Sequence, residues 1–208
     1  TRDGRFVAFA SYANDLVTGD SNDRAGIYIY EQEDGVLDRV SVTVFGIQPN
    51  GHCVGTALSE DARFVAFYSF ATNLVPGALG GTFVKDRVSG AIVCMSVRDN
   101  GIPVAPQGQG FFGRVSISAN GRHVAFDGQS SLVTNDSANV RDVYVHDRDS
   151  DGDGVFDEPG GIRTLRVSVS SSGTPGDGES RFPDMSPDGR FITFDSAATN
   201  LVTNDTNN

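Results

Sequence analysis

The densest group of acidic residues in the chain lies between positions 147 and 158. Five Asp and one Glu fall within these twelve residues: Asp147, Asp149, Asp151, Asp153, Asp157 and Glu158. Like charges this close repel one another, so a folded loop here needs a counter-cation. Calcium takes several carboxylate and carbonyl oxygens at alternate positions, with a glycine that allows the sharp turn. The segment therefore predicts a calcium-binding loop.

Two alignments to a twelve-residue calcium loop fit this segment, and both place Gly at position 6. A start at Asp147 puts acids at positions 1, 3 and 5 and Glu158 at position 12. A start at Asp149 puts acids at positions 1, 3, 5 and 9, the backbone carbonyl of Val155 at position 7 and Phe156 at position 8. We slightly favour the second start because position 8 is normally apolar. The predicted ligands over both starts are Asp147, Asp149, Asp151, Asp153, Val155, Asp157 and Glu158.

This loop resembles the Asp-rich calcium loops of dockerin-like and thrombospondin type 3 repeats. Its flanks, 143–146 and 164–169, have the pattern of strands, whereas an EF-hand loop lies between helices. The resemblance therefore implies an ion that closes a hairpin and stabilises the fold, without a catalytic role. A solvated acidic hairpin tip with no tightly bound ion remains the alternative.

The elements that position this loop are repeats. A turn followed by a short apolar strand occurs at 3–9, 61–67, 120–126 and 188–194, with spacings of 58, 59 and 68 residues. A fixed period of this size is typical of repeat architectures. The third unit is longer than the others because it contains the acidic segment, here taken as an inserted loop over 147–160.

Each unit contains about four short strands separated by Gly-rich turns, which is the pattern of a β-propeller blade. The predicted fold class is all-β, a β-propeller of four-stranded antiparallel blades. Residues 1–208 form a single partial propeller of about three and a half units, whose repeat turns begin at 3, 61, 120 and 188. Propellers need about four to eight blades to close. We therefore expect an incomplete ring, completed by self-association or by blades of a longer chain.

The segment Ser186-Pro187-Asp188-Gly189-Arg190, followed by an apolar strand, resembles the WD40-like repeat of TolB-type β-propellers. The resemblance covers essentially the whole chain and implies the propeller fold. It also implies an extracellular, cell-surface or periplasmic location, as in secreted bacterial proteins of this kind. It does not specify a function, since propellers carry many unrelated activities.

Charge and cysteine content restrict the partners. The net charge of −11, from 16 basic and 27 acidic residues, disfavours nucleic acids and anionic membrane surfaces. No apolar run approaches the roughly 20 residues that span a bilayer, so membrane insertion is not expected.

Cys94 aligns with Arg39 and Arg166 of the sister units, which predicts a less buried face for it. A disulfide with Cys53 and two free thiols are both open alternatives.

Two further sets of polar residues recur in the repeats. The first comprises loop residues that either bind a cation or cap turns: Asp20, Asn22, Asp136, Asn139, Asp205 and Asn207. The second is one arginine per unit, at positions 5, 63, 122 and 190, which either forms an anion-binding ring or pairs with its own turn Asp or with nearby carbonyls. For both sets we favour the structural explanation, because what every repeat shares is best explained by folding.

No nucleophile motif such as G-x-S-x-G and no phosphate-binding loop occurs in the chain. The preferred function is therefore a non-enzymatic scaffold or binding propeller, stabilised by calcium, with an unknown protein or glycan ligand. Whether the chain belongs to an enzyme stays open. The alternatives are the propeller portion of a larger hydrolase, as in the prolyl oligopeptidase family, and a carbohydrate-active propeller enzyme.

Overall fold

The computed structural model describes residues 1–106, 113–129, 131–134, 136, 140–203 and 205. These residues form thirteen β-strands in four antiparallel sheets of consecutive strands, which we number as blades 1 to 4. Blade 1 contains β1 (Phe6–Ser11), β2 (Gly26–Glu31) and β3 (Val36–Arg39). Blade 2 contains β4 (Cys53–Leu58), β5 (Phe64–Ser69), β6 (Gly81–Asp86) and β7 (Ile92–Cys94). Blade 3 contains β8 (Val115–Ile117), β9 (His123–Gly128), β10 (Asp142–Asp147) and β11 (Arg163–Arg166), and blade 4 contains β12 (Ser180–Met185) and β13 (Ile192–Ser196).

The prediction of an all-β propeller with four-stranded antiparallel blades is confirmed, and the ring is not closed. Blades 2 and 3 each have four strands, whereas blade 1 has three and blade 4 has two. Within the part of the chain that the structure describes, no helix is long and apolar enough to cross a membrane.

A hydrogen-bonded turn, which we call the blade turn, precedes strands β5, β9 and β13. In blade 2 the Ser59 hydroxyl donates to Asp61 at 2.6 Å, and the same Asp61 carboxylate accepts the backbone N–H of Arg63 at 3.0 Å. The Ser59 oxygen in turn accepts the backbone N–H of Phe64 at 2.9 Å. The same bonds recur in blade 3 through Ser118 and in blade 4. The recurring Ser and Asp or Asn therefore satisfy backbone groups that a turn would otherwise leave unpaired.

The outer strands begin and end earlier than the sequence predicts. The sequence pattern extends them over 38–42 and 165–169, but β3 ends at Arg39 and β11 ends at Arg166. Side-chain hydroxyls explain the difference. Ser41 accepts the backbone N–H of Ile27 at 2.9 Å, and Ser168 accepts that of Val143 at 3.2 Å. These side chains take the place of ladder carbonyls, so the chain turns away from the sheet.

The apolar core lies between neighbouring blades. One cluster joins blades 1 and 2 and includes Ile29, Phe67 and Phe83. A second cluster joins blades 2 and 3 and includes Val84 and Phe126. Both faces of a central strand are therefore covered, which agrees with the near-continuous apolar sequence of β5 and β9.

Arg5, Arg63 and Arg122 form ion pairs within their own blades, but not with a turn Asp, so the partner predicted from the sequence is wrong. Arg63 instead forms a fork with Asp86 at the end of the next strand, at 3.1 and 2.9 Å. Arg5 and Arg122 pair in the same way with acids at the ends of β2 and β10. The turn carboxylates already accept the bonds of the blade turn, and strand pairing places Asp86 directly opposite Phe64.

The expected exposure of Cys94 is also wrong, because its side chain is buried in the core between blades 1 and 2. Cys53 is buried as well, and both thiols are free. Burial raises the pKa of Cys53 to about 11 and that of Cys94 to about 12. Both groups therefore remain protonated and unreactive near neutral pH.

Candidate metal centre

The acidic segment forms the connection between β10 and β11, two antiparallel neighbours in blade 3. Backbone bonds close it at both ends. The N–H of Ser150 donates to the carbonyl of Gly161 at 2.6 Å, and the N–H of Asp157 donates to the carbonyl of Arg148 at 2.8 Å. The prediction of strands on both sides of the loop is confirmed. The loop is thus held by a hairpin and not by a pair of helices.

Three of the predicted ligands converge. One carboxylate oxygen from each of Asp149, Asp151 and Asp153 lies within 4.8 Å of the others. Asp149 is buried, and the other two are exposed. Asp149 accepts the backbone N–H of Gly154 at 3.3 Å, and Asp153 accepts that of Val155 at 2.8 Å, so the backbone holds both carboxylates in place. Carboxylate oxygens from three alternate residues are ligands of the kind that calcium prefers.

Glu158 lies in the field of this cluster. The negative charge of Asp153 raises the pKa of the Glu158 carboxyl, and desolvation and the charge of Asp151 act in the same direction. A fourth acid held so close to three others increases the repulsion that a divalent cation would relieve.

Arginines pair with Asp147 and Asp157, and Arg122 also reaches the cluster, with its Nη1 3.7 Å from Asp149 Oδ2. Asp147 accepts two bonds from Arg122, at 2.7 and 2.9 Å. Asp157 accepts a fork from Arg148, with Nη2 to Oδ2 at 2.5 Å. The three-carboxylate cluster therefore contains the first three acids of the start at Asp149 and does not include Asp147. Val155, predicted to supply a carbonyl, follows directly after the cluster and is exposed.

Arg148 attaches the loop to the neighbouring blade. Its guanidinium carbon lies 4.6 Å from the ring centre of Phe64 in blade 2 and 4.8 Å from that of Phe156 in the loop. Its Nη1 donates to the carbonyl of Gly121 at 2.8 Å, and only 3% of its side chain is exposed. We call Phe64, Arg148, Phe156 and Asp157 the interblade clamp. The glycine is required, because a Cβ at Gly121 would lie 2.2 Å from the Phe64 ring.

Sequence reasoning missed the role of Asp20 and Asp136. Asp20 accepts the phenol of Tyr28 and pairs with Arg39 at 2.6 Å. In blade 3, Asp136 accepts the phenol of Tyr144 at 2.5 Å and pairs with Arg166 at 3.3 Å. These two carboxylates therefore form buried ionic triads rather than cation sites or turn caps. The sequence held one signal for these triads, because the positions of the Asp, the Tyr and the Arg change together from one repeat to the next.

The remaining loop residues of that set behave differently. Asn22 accepts the backbone N–H of Arg24 at 3.2 Å, so it caps a turn as expected, and its amide also donates to the carbonyl of Pro49 at 2.8 Å. Asp205 is half-buried. Asn139 and Asn207 lie outside the described residues.

No protein-family model matches the chain, and no curated protein matches its sequence. Among solved structures, the chain is similar to TolB from Acinetobacter baumannii, with 14% identity and a TM-score of 0.50 over 92% of this chain and 35% of that one. A putative TolB from Agrobacterium tumefaciens matches with 16% identity and a TM-score of 0.44, over 93% of this chain and 55% of that one. A prolyl endopeptidase structure matches with 14% identity and a TM-score of 0.46, over 92% of this chain and 26% of that one.

These likenesses concern the fold alone. The match to the Acinetobacter protein, together with the four antiparallel blades, shows that the chain has a TolB-like β-propeller fold. The chain spans about a third to a half of the length of the TolB structures it matches.

Proposed function

We propose that this chain is part of a non-enzymatic binding or scaffold propeller that calcium stabilises. The protein would be periplasmic, extracellular or displayed on the cell surface, with a protein or glycan as its ligand. The observation that carries the calcium proposal is the convergence of Asp149, Asp151 and Asp153 on a loop whose other end is clamped to blade 2.

Calcium would act here on the stacking of blades. Without a cation, repulsion among the three carboxylates and Glu158 favours opening of the loop. Opening would withdraw Phe156 from Phe64 and separate the two blades that the clamp joins. A bound divalent ion removes that repulsion and so supports the packing of blade 3 on blade 2.

Thermal unfolding with and without calcium tests the proposal. The first sample contains calcium and the second contains the chelator EGTA with an excess of magnesium. A ligand at 100 times its Kd adds about 2.7 kcal/mol to the free energy of unfolding, so we expect a Tm several degrees higher in calcium. The double variant Asp151→Asn/Asp153→Asn should lose this shift.

The matched control is Asp34→Asn, which removes an exposed acid from the corresponding β2–β3 connection of blade 1. It should keep the full calcium shift. An equal Tm in calcium and EGTA, or an equal shift in the double variant, would reject calcium binding at this loop.

A further inference from the structure

A second concave surface lies at the boundary between blades 2 and 3. It has a volume of about 720 Å³. Its walls are the turn 98–100 after β7, the segment 131–134 and strand β11 with Val169. We call this surface the boundary cleft. It contains none of the three clustered carboxylates of the acidic loop, so it is a separate site.

Two arginines of the cleft differ from most arginines of this protein. Arg98 uses only its Nε, which donates to the carbonyl of Ser131 at 3.3 Å. Among the described residues, no carboxylate pairs with Arg98 or Arg163. By contrast, carboxylates pair with nine other arginines, at positions 2, 5, 39, 63, 122, 141, 148, 166 and 181. Two guanidinium groups without a carboxylate partner therefore face one cleft of an acidic chain.

The repeats show that folding does not require these two arginines. Arg98 follows the Ser-Val pair after its outer strand, where the sister blades have Thr43 and Ser170. Arg163 begins its outer strand, where blade 1 has Val36. Residues that all blades share serve the fold, as the blade turn does. A basic pair confined to one boundary requires another explanation, and ligand binding supplies one.

The residues that line the cleft include three arginines and one carboxylate, that of Asp99, whereas the two carboxylates that pair with Arg166 are buried behind this surface. Arg166 also lines it, but Asp136 and Asp142 already pair with that side chain. Asp99 lies at the rim, where its carboxylate accepts the backbone N–H of Thr164 at 2.7 Å. Two unpaired guanidinium groups against this one carboxylate favour an anionic ligand.

Aliphatic side chains form the rest of the surface. Leu132 is buried beneath it, Val133 and Val169 are half-buried, and Leu165 keeps 41% of its surface exposed. No aromatic ring of the described residues lines the cleft to serve as a platform for a sugar face. A ligand carboxylate can accept paired hydrogen bonds from a guanidinium group, and aliphatic side chains of the ligand can pack on the aliphatic surface of the cleft. An acidic peptide with aliphatic neighbours offers both.

We propose that the boundary cleft binds an acidic peptide segment of a partner protein, with a ligand carboxylate held between Arg98 and Arg163. Aliphatic residues next to that carboxylate pack on Leu165 and Val169. This inference deepens the proposed binding role by naming the ligand class, and it rests on that role. It does not depend on calcium.

Fluorescence anisotropy with a short labelled peptide of alternating Glu and Leu tests the proposal. The comparison peptide contains Gln in place of Glu. We expect saturable binding of the Glu peptide only, weakened by added salt. Arg98→Gln and Arg163→Gln should each weaken it about tenfold, the effect of losing one hydrogen bond to a charged group. Arg24→Gln, which removes an exposed arginine of blade 1, is the matched control and should bind like the parent chain.

Three outcomes would decide against the peptide site. Absence of binding, or an equal loss in all three arginine variants, would overturn it. Displacement of the peptide by a short polyuronate at lower concentration than by unlabelled peptide would indicate a glycan ligand instead. Running the titration in calcium and in EGTA separates the two proposals. Binding without a calcium shift in Tm rejects only the metal, and a calcium shift without binding rejects only the peptide site.

Discussion

At the scale of single residues, the blades differ at three equivalent buried positions. Blade 1 has Asp20, Tyr28 and Arg39 there, and the phenol and guanidinium both contact the carboxylate. Desolvation and the bond to Asp20 raise the pKa of Tyr28 to about 12. Blade 2 has an apolar set at the same positions: Ala78, Phe83 and Cys94, all in one core cluster. The three positions therefore carry either an ionic set of side chains or an apolar set, and they change together from blade to blade.

The first prediction concerns this covariation. Arg39→Cys alone should lower the free energy of unfolding by about 3 to 5 kcal/mol, because it leaves the Asp20 charge buried without its partner. The triple variant Asp20→Ala/Tyr28→Phe/Arg39→Cys copies blade 2 and should regain most of that loss. Urea unfolding of the three proteins measures both effects. A triple variant that is no more stable than Arg39→Cys would contradict the prediction.

A second prediction at this scale concerns acid stability. Burial opposes the charge of Asp86, but the Arg63 fork and the N–H groups of Val88 and Ser89 outweigh it and hold the pKa of Asp86 well below its usual range. A carboxyl whose pKa is depressed in the folded state stabilises the protein above the pKa of the unfolded chain, near 3.9. That contribution, about 2 kcal/mol for a hydrogen-bonded charge, should disappear as the pH falls below about 4. Asp86→Asn should therefore reduce the fall in the free energy of unfolding between pH 5 and pH 2.

The control for the acid prediction is Asp38→Asn, at an exposed position of β3. This variant should keep the slope of the parent chain. Equal flattening in both variants would indicate a general charge effect and not the Arg63–Asp86 pair.

At the scale of elements, the acidic loop is more than an insertion at a hairpin tip. The interblade clamp joins it to blade 2 through the contacts of Arg148 and Phe156 with the Phe64 ring, and the Arg148–Asp157 salt bridge, which has little exposed surface, holds the clamp together within the loop. Its Phe156 ring lies 5.6 Å from Phe64, centre to centre. Blades 1 and 2 make the equivalent arginine–ring contact, from Arg87 to Phe6 at 5.2 Å, and the acidic loop adds the Phe156 ring to that contact between blades 2 and 3.

The third prediction tests the clamp. Phe156→Ala should lower the free energy of unfolding by about 2 kcal/mol, less than a fully buried Phe would lose, because its ring is half-buried. Phe45→Ala provides the matched control in the turn that follows β3, where 85% of the residue is exposed. That control should change the stability by no more than about 0.5 kcal/mol. Equal losses in the two variants would show that Phe156 contributes nothing through the clamp.

At the scale of the whole molecule, the outermost blades are open. The second strand of blade 2, β5, has five buried residues of six, whereas its equivalents β1 and β13 have none. Among the described residues, β1 pairs only with β2, and β13 pairs only with β12. Unpaired strand edges attract further strands. We therefore expect these edges to be covered in the complete assembly, by another copy or by further blades of a longer chain.

The fourth prediction follows from these edges. Light scattering of the isolated 208-residue chain should give a mass of two or more protomers. If the acidic loop supports the assembly, EGTA should shift that mass and calcium should restore it. A monomer that does not respond to calcium would contradict ring completion by self-association. The binding partners would then have to be sought in the full-length protein, where a G-x-S-x-G motif would indicate the hydrolase alternative.

The sequence by itself determined the repeat, the blade and the location of the acidic loop. Each of these depends on residues close together in the chain: the turn at Asp61, the apolar run of β5 and the spacing of Asp149, Asp151 and Asp153. The tertiary structure alone decided which partner each charge takes. Arg63 pairs with Asp86, and Arg148 reaches across to Phe64, because strand pairing and blade stacking bring together residues that are distant in sequence. Local spacing carries no information about such contacts, so it could not predict the clamp or the boundary cleft, and the buried triads could be inferred only by comparing the repeats with one another.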